Sequence, residues 1–199
     1  IAMSAANTTL YNFRIAASVT DVVRGIDVTA ANVTIKKLVT IDSGATNELL
    51  TQIKATSTVD NNADGLWVEE CEFYGTSTAI LEHLEFNAQI NYFVYRNNIV
   101  VNEGTQAGTA IVGATGKDLK HAVITGNYTS AKPTAGNLFI DSDSTASTGI
   151  AADNDIGHAD VTGAHDNGLT GMGFRLFRNA SVSTASLSGF VLPAIDVDL

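Results

Sequence analysis

The sequence predicts an all-β protein: a right-handed parallel β-helix of about seven circuits over residues 1–185, followed by a C-terminal tail over residues 186–199. Three observations lead to this prediction. The composition favours strands and turns, a seven-residue pattern recurs along the chain, and the spacing between its copies is irregular.

The composition favours strands over helices. Val, Ile, Thr, Asn, Asp and Gly are abundant while Lys, Glu and Gln are sparse, and the abundant set prefers strands and tight turns. Hydrophobic residues make up 45% of the chain and charged residues only 16%, so small polar residues must cover much of the surface. At 199 residues, one domain with a sizeable core is expected.

The charge balance bears on the class of partner. The formal net charge is −10, and the 11 Lys and Arg residues are scattered, so we expect no nucleic-acid partner. No apolar run has the length of a membrane span, so we expect no membrane association through one. Position 1 is not Met, which predicts a preceding segment in the gene product.

The repeated pattern is visible in seven windows. They are LYNFRIA at 10–16, IKKLVTI at 35–41, VEECEFY at 68–74, VYRNNIV at 94–100, ITGNYTS at 124–130, AADNDIG at 151–157 and LFRNASV at 176–182. The first position is apolar in every window, the sixth is mostly compatible with a core, and positions two, three and five are mainly polar.

The distance between copies decides the architecture. Successive fourth positions are 25, 33, 26, 30, 27 and 25 residues apart, and no helix-period segment lies between them. Short strands joined by turns of variable length explain this irregularity, because loop closure entropy rises only slowly with length. A sandwich or jelly roll built from similar strands remains the alternative.

The fourth position carries the predicted structural ladder. From the fourth window onward it is an asparagine, and in the earlier windows it is Phe13, Leu38 and Cys71. Asn tolerates a bent backbone, and stacked amides can hydrogen-bond along the solenoid axis. The predicted ladder residues are therefore Asn97, Asn127, Asn154 and Asn179, and Cys71 is expected to be a buried, inert thiol.

The tail differs from the rest of the chain. Its sequence SLSGFVLPAIDVDL contains Pro193 among apolar residues, which excludes a central strand. We expect it to cap the open end of the solenoid or to reach a neighbouring subunit. The candidate oligomer or capsid contacts are Phe190, Val191, Leu192 and Ile195.

Carboxylates are the only side chains that suggest catalysis. Two groups stand out, Glu69, Glu70 and Glu72 on one circuit and Asp153, Asp155 and Asp160 three circuits later. The strand spacing places these groups about 14 Å apart, so they do not share one site. Alternation along the strand turns Glu70 away from its neighbours, as expected for a solvated face. No catalytic residue is predicted.

Other ligand chemistry is weakly represented. The four histidines have no metal-ligand spacing, and neither a metal site nor a cofactor is predicted. Weak calcium binding by Asp141 and Asp143, or by Asp153 and Asp155, stays open. Trp67 is the only tryptophan, although Tyr74, Tyr92, Tyr95 and Tyr128 leave a shallow glycan platform as an alternative.

The last third of the chain resembles a known family. The segments GIAADNDIGHADVTGAHDNG, FRLFRN and SGFVLPAIDVD, within residues 149–199, look like the β-helical capsid decoration (cement) proteins of tailed bacteriophages. That group ends in a similar Gly-aromatic, Leu-Pro and Asp segment. No catalytic motif is carried over.

The resemblance implies a non-enzymatic virion protein. It would sit as a homotrimer on the outer capsid surface and clamp the major capsid protein. The alternative is a fragment of a β-helical tailspike or polysaccharide lyase or hydrolase that binds or cleaves glycans. A surface adhesin is a third class, and it would require a secretion or anchoring segment.

Overall fold

The computed structural model of the protein describes residues 1–20, 22–41, 49–75, 82–102, 109–131, 139–142, 145–158, 169 and 172–182. Within these residues every regular element is a β-strand. In chain order they are β1 (Ala2–Met3), β2 (Thr9–Ala16), β3 (Val22–Val28), β4 (Thr34–Ile41), β5 (Leu49–Ala55), β6 (Trp67–Glu69), β7 (Glu72–Gly75), β8 (Glu82–Phe86), β9 (Ile90–Asn91), β10 (Val94–Arg96), β11 (Ile99–Asn102), β12 (Thr109–Gly113), β13 (Leu119–Lys120), β14 (Ala122–Thr125), β15 (Tyr128–Ala131), β16 (Ile140–Asp141), β17 (Gly149–Ala152), β18 (Asp155–His158), β19 (Phe174–Phe177) and β20 (Ala180–Val182).

The strands stack as a parallel β-solenoid of about five turns. Sheet 1 has the order β1-β3-β5-β8-β12-β16, and its last five strands each return the chain from one window to the next. The predicted all-β class and parallel stacking are confirmed. No helix that could cross a membrane occurs in the portion of the chain described above.

A second sheet of twelve strands covers the remaining faces. Its strands β2 and β4 run uninterrupted through a corner that divides every later circuit into two strands. We call β6, β10, β14, β17 and β19 wing I, and β7, β11, β15, β18 and β20 wing II. A two-stranded sheet is formed by β9 and β13, which directly precede the wing I strands β10 and β14 of the same circuits.

The strand register matches six of the seven sequence windows. Leu10 pairs with Ile35 and Ile35 with Val68, and further along Ile124 pairs with Ala151 and Ala151 with Leu176. The fourth window is the exception.

In that window Tyr95, not Val94, pairs with both Val68 and Ile124. The alignment of VYRNNIV is therefore wrong by one residue. Two adjacent apolar residues and two adjacent asparagines made both registers look equally good.

Two corners have a left-handed backbone in successive circuits. Between the wings, φ ranges from 44° to 68° at equivalent positions, namely Asn12, Lys37, Glu70, Asn97, Gly126, Asp153 and Arg178. At the corner before wing I, φ ranges from 52° to 83°, at Asn7, Asn32, Gly65, Tyr92, His121 and Gly173. Asn and Gly suit this conformation, whereas larger side chains adopt it at a cost.

The core fills the inside of the solenoid. Its largest fully buried side chains are aromatic, namely Tyr95, Phe73, Phe86, Phe93 and Phe139. Burial of each of the four phenylalanines stabilises the fold by about 1.5–3 kcal/mol, whereas the buried Tyr95 hydroxyl has no hydrogen-bond partner among the described residues and offsets part of that gain. One aliphatic column crosses successive strands of sheet 1 and consists of Ile26, Ile53, Leu84, Ile111 and Ile140.

Candidate functional site

The asparagine ladder is a buried column inside the corner between the wings. Asn98 and Asn127 are 0% and 1% exposed, and Asn154 is 1% exposed. The side-chain Nδ2 of Asn98 donates to Asn127 Oδ1 at 3.1 Å, and Asn127 Nδ2 donates to Asn154 Oδ1 at 2.8 Å. Asn154 Nδ2 in turn donates to Asn179 Oδ1 at 2.8 Å.

Asn97 does not belong to this ladder. It is exposed and has a φ of 53°, so it forms the left-handed corner one residue earlier. Asn98 takes the predicted place, and its Oδ1 accepts from the Cys71 amide at 3.0 Å. This correction follows from the register of the fourth window, because Tyr95 rather than Val94 is its first residue.

The tail contacts predicted from the sequence cannot be placed. Phe190, Val191, Leu192 and Ile195 lie outside the described residues, as does the whole of 186–199. Asp143 and Asp160 also lie outside them, and for Asp141 only the backbone is described.

The acidic cluster on the third window is held in ion pairs. Glu69 Oε1 lies 2.6 Å from Arg96 Nη2, and Glu69 Oε2 lies 3.3 Å from Lys36 Nζ. Glu70 Oε1 lies 3.4 Å from the same Lys36 Nζ. The left-handed corner at Glu70 breaks the strand alternation, so Glu70 shares a cation with Glu69 instead of turning away as predicted.

This pairing sets the ionisation of Glu69. Burial raises its pKa, but hydrogen bonds from Lys36 and Arg96 outweigh burial and hold the pKa of the carboxyl below its usual value. Hydrogen bonding to Glu69 raises the pKa of Lys36. Such a carboxylate is a poor proton donor near neutral pH.

The remaining predicted carboxylates lie apart. Glu72 Oε2 accepts from the Tyr74 hydroxyl at 3.1 Å, and Asp153 Oδ1 lies 2.7 Å from Arg178 Nε. Asp155 is exposed at the start of β18. Among the described residues, no group of three His, Cys, Asp or Glu side chains is arranged to hold a metal ion.

A second carboxyl pair was not found from the sequence. Glu82 accepts from Thr51 Oγ1 at 2.9 Å and shares a hydrogen bond with Glu85, which pairs with Lys54. Burial and the Glu85 hydrogen bond raise the pKa of Glu82 to about 7. Direct hydrogen bonding leaves no room between the two carboxyls for the water or sugar of a glycosidase site. The sequence did not indicate this carboxyl pair because His83 and Leu84, which follow Glu82, are both buried and so break the alternation of buried and exposed positions along the strand.

The side chains of Cys71, His83 and His121 lie in different parts of the fold. Cys71 is fully buried, and burial raises the pKa of its thiol to about 11. His83 is fully buried on sheet 1, whereas His121 is exposed at the corner before wing I. His165 lies outside the described residues, and only the backbone of His158 is described.

The outer face of wing II, with the adjoining part of β4, is the first candidate interaction surface. Two neighbouring outward rows carry mainly apolar side chains, because Ile99 pairs with Tyr128 while Val101 pairs with Tyr74. Tyr128 is 47% exposed and Ile99 is 37% exposed. Val39 and Ile41 extend the rows into β4, with Glu72 between Val39 and Ile99 in the first row. We call the six residues other than Glu72 the wing II face. Grouped apolar side chains on an outer surface are typical of protein contacts.

The corner before wing I is the second candidate surface. Tyr92 is 65% exposed and stacks on His121, with ring centroids 5.2 Å apart and an interplanar angle of 17°. Tyr95 is fully buried and Tyr74 is half-buried, so Tyr92 and Tyr128 are the exposed members of the predicted tyrosine platform. They lie on different faces and do not form one platform.

Trp67 lies near this corner at the start of wing I. The Arg96 guanidinium carbon lies 4.8 Å from the centroid of the Trp67 ring, a cation–π contact. Arg96 thereby joins the indole to Glu69. The tryptophan is half-buried under this ion pair.

Comparison with known proteins gives no match to a family model, to a curated protein sequence or to a solved structure.

Proposed function

We propose that the chain is a non-enzymatic structural protein of a virion, a capsid decoration protein that binds the outer surface of a tailed-phage capsid as a homotrimer. The major capsid protein is its other partner. In this proposal the solenoid is right-handed, has about seven circuits and ends in a capping tail over residues 186–199.

The observation that supports this proposal most directly is the wing II face. A protein of net charge −10 that groups Ile99, Tyr128 and Val101 on one outer sheet face has a surface suited to another protein. The resemblance of residues 149–199 to capsid decoration proteins supports the kind of partner. The ladder and the aromatic core favour a rigid clamp, since they need no ligand to hold their shape.

The alternative, glycan cleavage by a tailspike or lyase fragment, has less support. Glu69 and Glu70 are held by Lys36, and Glu82 and Glu85 contact one another directly. A shared lysine engages the first pair, and the second pair is too close for the water or sugar of a glycosidase site. We therefore favour a protein without catalytic residues.

The first experiment measures the solution mass of the full chain by light scattering, with and without residues 186–199. We expect a trimer that dissociates on truncation. Co-sedimentation with expanded capsids of a tailed phage then tests binding to the major capsid protein. A monomer that is unaffected by truncation would contradict the proposal.

A matched pair of variants tests the contact face. Ile99 on wing II and Val123 on wing I are 37% and 39% exposed. Ile99→Lys should abolish trimerisation or capsid binding, because it buries a charge in the contact, while Val123→Lys should leave both unchanged. Equal effects of the two variants would rule out wing II as the docking surface.

A further inference from the structure

The corner before wing I contains one residue whose backbone conformation does not suit it. Tyr92 has a φ of 57°, whereas the other described residues with a left-handed backbone at this corner are Asn, Gly or His, which adopt it more readily. Bulky side chains are rare in this region because of steric strain. Tyr92 is 65% exposed, so core burial does not compensate for the strain. Strained residues of this kind are concentrated at functional sites.

The Tyr92 ring has one covered face and one open face. His121, one circuit further along the axis, covers the first face at a centroid distance of 5.2 Å. The other face is directed toward the preceding circuit, where the equivalent residue is Gly65 and has no side chain. The Gly65 amide donates to the Asn91 carbonyl at 2.8 Å, which fixes the two circuits side by side.

Asn32 forms the opposite side of this ledge. Its Nδ2 donates to Asn7 Oδ1 at 3.1 Å, which orients its Oδ1 toward Gly65. A Cβ on Gly65 would lie only 2.5 Å from Asn32 Oδ1. The backbones of Asn32 and Tyr92 are two circuits apart, about 9.5 Å, and the Asn32 amide fills the part of this gap next to the Gly65 backbone, so a ring stacked on the tyrosine would lie further out, beside Asn32 Oδ1.

Further polar residues precede Gly65 and Tyr92 in the chain. Asp64, the residue before Gly65, accepts from the Asn91 backbone amide at 2.8 Å through Oδ1 and from Asn91 Nδ2 at 2.9 Å through Oδ2. Asn91 Nδ2 also donates to Asn61 Oδ1 at 2.6 Å. These hydrogen bonds tie the two circuits together at the positions next to Gly65 and Tyr92, so the backbone of the ledge is fixed before any ligand arrives.

We propose that this ledge, bounded by Asn32, Gly65 and Tyr92, binds one pyranose ring of a neutral glycan. The apolar C–H face of the sugar stacks on the open face of Tyr92, and a sugar hydroxyl donates to Asn32 Oδ1. A neutral sugar is favoured because the chain carries a net charge of −10, which repels acidic polysaccharides. The site is separate from the wing II face, so it does not depend on the proposed capsid role.

The test titrates the full-length protein with cellohexaose and with chitohexaose by isothermal titration calorimetry, with unfolding measured in parallel. Tyr92→Asn removes the ring but suits the left-handed backbone. We expect it to weaken binding about tenfold or more while leaving the unfolding temperature unchanged or higher. Tyr92→Phe should retain binding, and Tyr11→Asn, which removes a tyrosine 55% exposed on β2, should bind as the unmodified chain does.

Three results would overturn the proposal. The first is that neither oligosaccharide binds at millimolar concentration. The second is binding that Tyr92→Asn leaves intact, which would place the sugar elsewhere. The third is a Tyr92→Asn variant that lowers the oligomeric mass without any sugar binding by the unmodified chain, which would make this corner a protein contact. The first two leave the wing II experiments unaffected, and the third would also count against wing II as the oligomer contact.

Discussion

Asn127 has the complete set of hydrogen bonds that a side-chain amide can form. Its Oδ1 accepts from the backbone N–H of Asn98 at 3.0 Å and from the side-chain Nδ2 of Asn98 at 3.1 Å. Its Nδ2 donates to the Tyr95 carbonyl at 3.0 Å and to Asn154 Oδ1 at 2.8 Å. A buried polar group is tolerated when it is satisfied, and the same group becomes costly when one partner is removed.

We therefore predict that Asn127→Ala lowers the free energy of unfolding by about 2–4 kcal/mol, because it removes the acceptor of the Asn98 backbone N–H and of Asn98 Nδ2 and one of the two donors to Asn154 Oδ1. Asn97→Gly is the matched control. Asn97 has a φ of 53° and lies outside the ladder, so glycine there should be neutral within about 1 kcal/mol. Urea denaturation measures both, and equal losses would contradict the distinction between the two neighbouring asparagines.

His83 is a buried polar residue with the opposite character. It is fully buried, its ring centroid lies 6.0 Å from that of Phe73, and neither ring nitrogen has a hydrogen-bond partner among the described residues. Burial lowers the pKa of His83 from 6.5 to about 3. The folded protein therefore keeps the ring neutral where the unfolded chain would protonate it.

We predict acid destabilisation through this residue. The unfolded state binds a proton below pH 6.5 that the folded state refuses until about pH 3, so stability falls as pH drops between these values. The total loss is at most about 5 kcal/mol. His83→Leu should remove this component and raise stability at neutral pH. Urea denaturation at pH 7 and pH 4 checks this, and an unchanged difference between the two pH values in the variant would refute it.

At the scale of the strand, Gly149 marks a close approach of two circuits. It begins β17 with a φ of 137°, and a Cβ there would lie 2.1 Å from the Ala122 carbonyl oxygen of β14. Gly116 also has a left-handed φ, of 70°, but open space surrounds the position of its Cβ. Alanine at position 149 would therefore meet both a steric collision and backbone strain, whereas alanine at position 116 would meet backbone strain alone.

We predict that Gly149→Ala destabilises the protein by more than about 3 kcal/mol, because backbone atoms of β14 cannot yield without breaking the strand pairing. Gly116→Ala should cost only about 1 kcal/mol from strain. The comparison uses midpoints of chemical unfolding. A Gly149→Ala variant no less stable than Gly116→Ala would show that the circuits are not packed as described.

The strand pattern could be predicted from the sequence because every circuit repeats the same inward and outward order. Leu10, Ile35 and Val68 occupy one column, so one apolar position per window was enough to align them. The ambiguity at Tyr95 arose because its neighbour Val94 is also apolar. Corners were harder to predict, since a left-handed residue such as Glu70 redirects a side chain that simple alternation would place on the other face.

The candidate surfaces could not be read from the sequence for a related reason. Tyr92 and His121 are 29 residues apart, and only the circuit length brings their rings together. Asn32 and Gly65 are likewise joined by the stacking of circuits of different length. The exposed tyrosines were identified as a class, but their separation onto two faces depends on the corners.

At the scale of the whole molecule, the solenoid keeps its core and its surfaces apart. The asparagine ladder and the apolar columns inside are held by contacts with neighbouring circuits, so outer side chains can vary without changing the register. The wing II face and the ledge at Gly65 lie on different sides of this frame. The proposed protein contact and the proposed sugar site therefore occupy separate parts of the solenoid.

Nearest-neighbour stacking also predicts how stability varies along the axis. Strand β11 pairs with β7 on one side and β15 on the other, whereas β2 pairs with β4 alone among the described strands. In a structure stabilised by contacts between adjacent circuits, an end circuit opens without disturbing the middle. We expect amides of β11 to exchange with solvent deuterons at least about 100-fold more slowly than hydrogen-bonded amides of β4 that face β2. Residue-resolved hydrogen exchange by NMR measures this ratio. Equal protection of the two strands would mean that the solenoid opens only as a single cooperative unit.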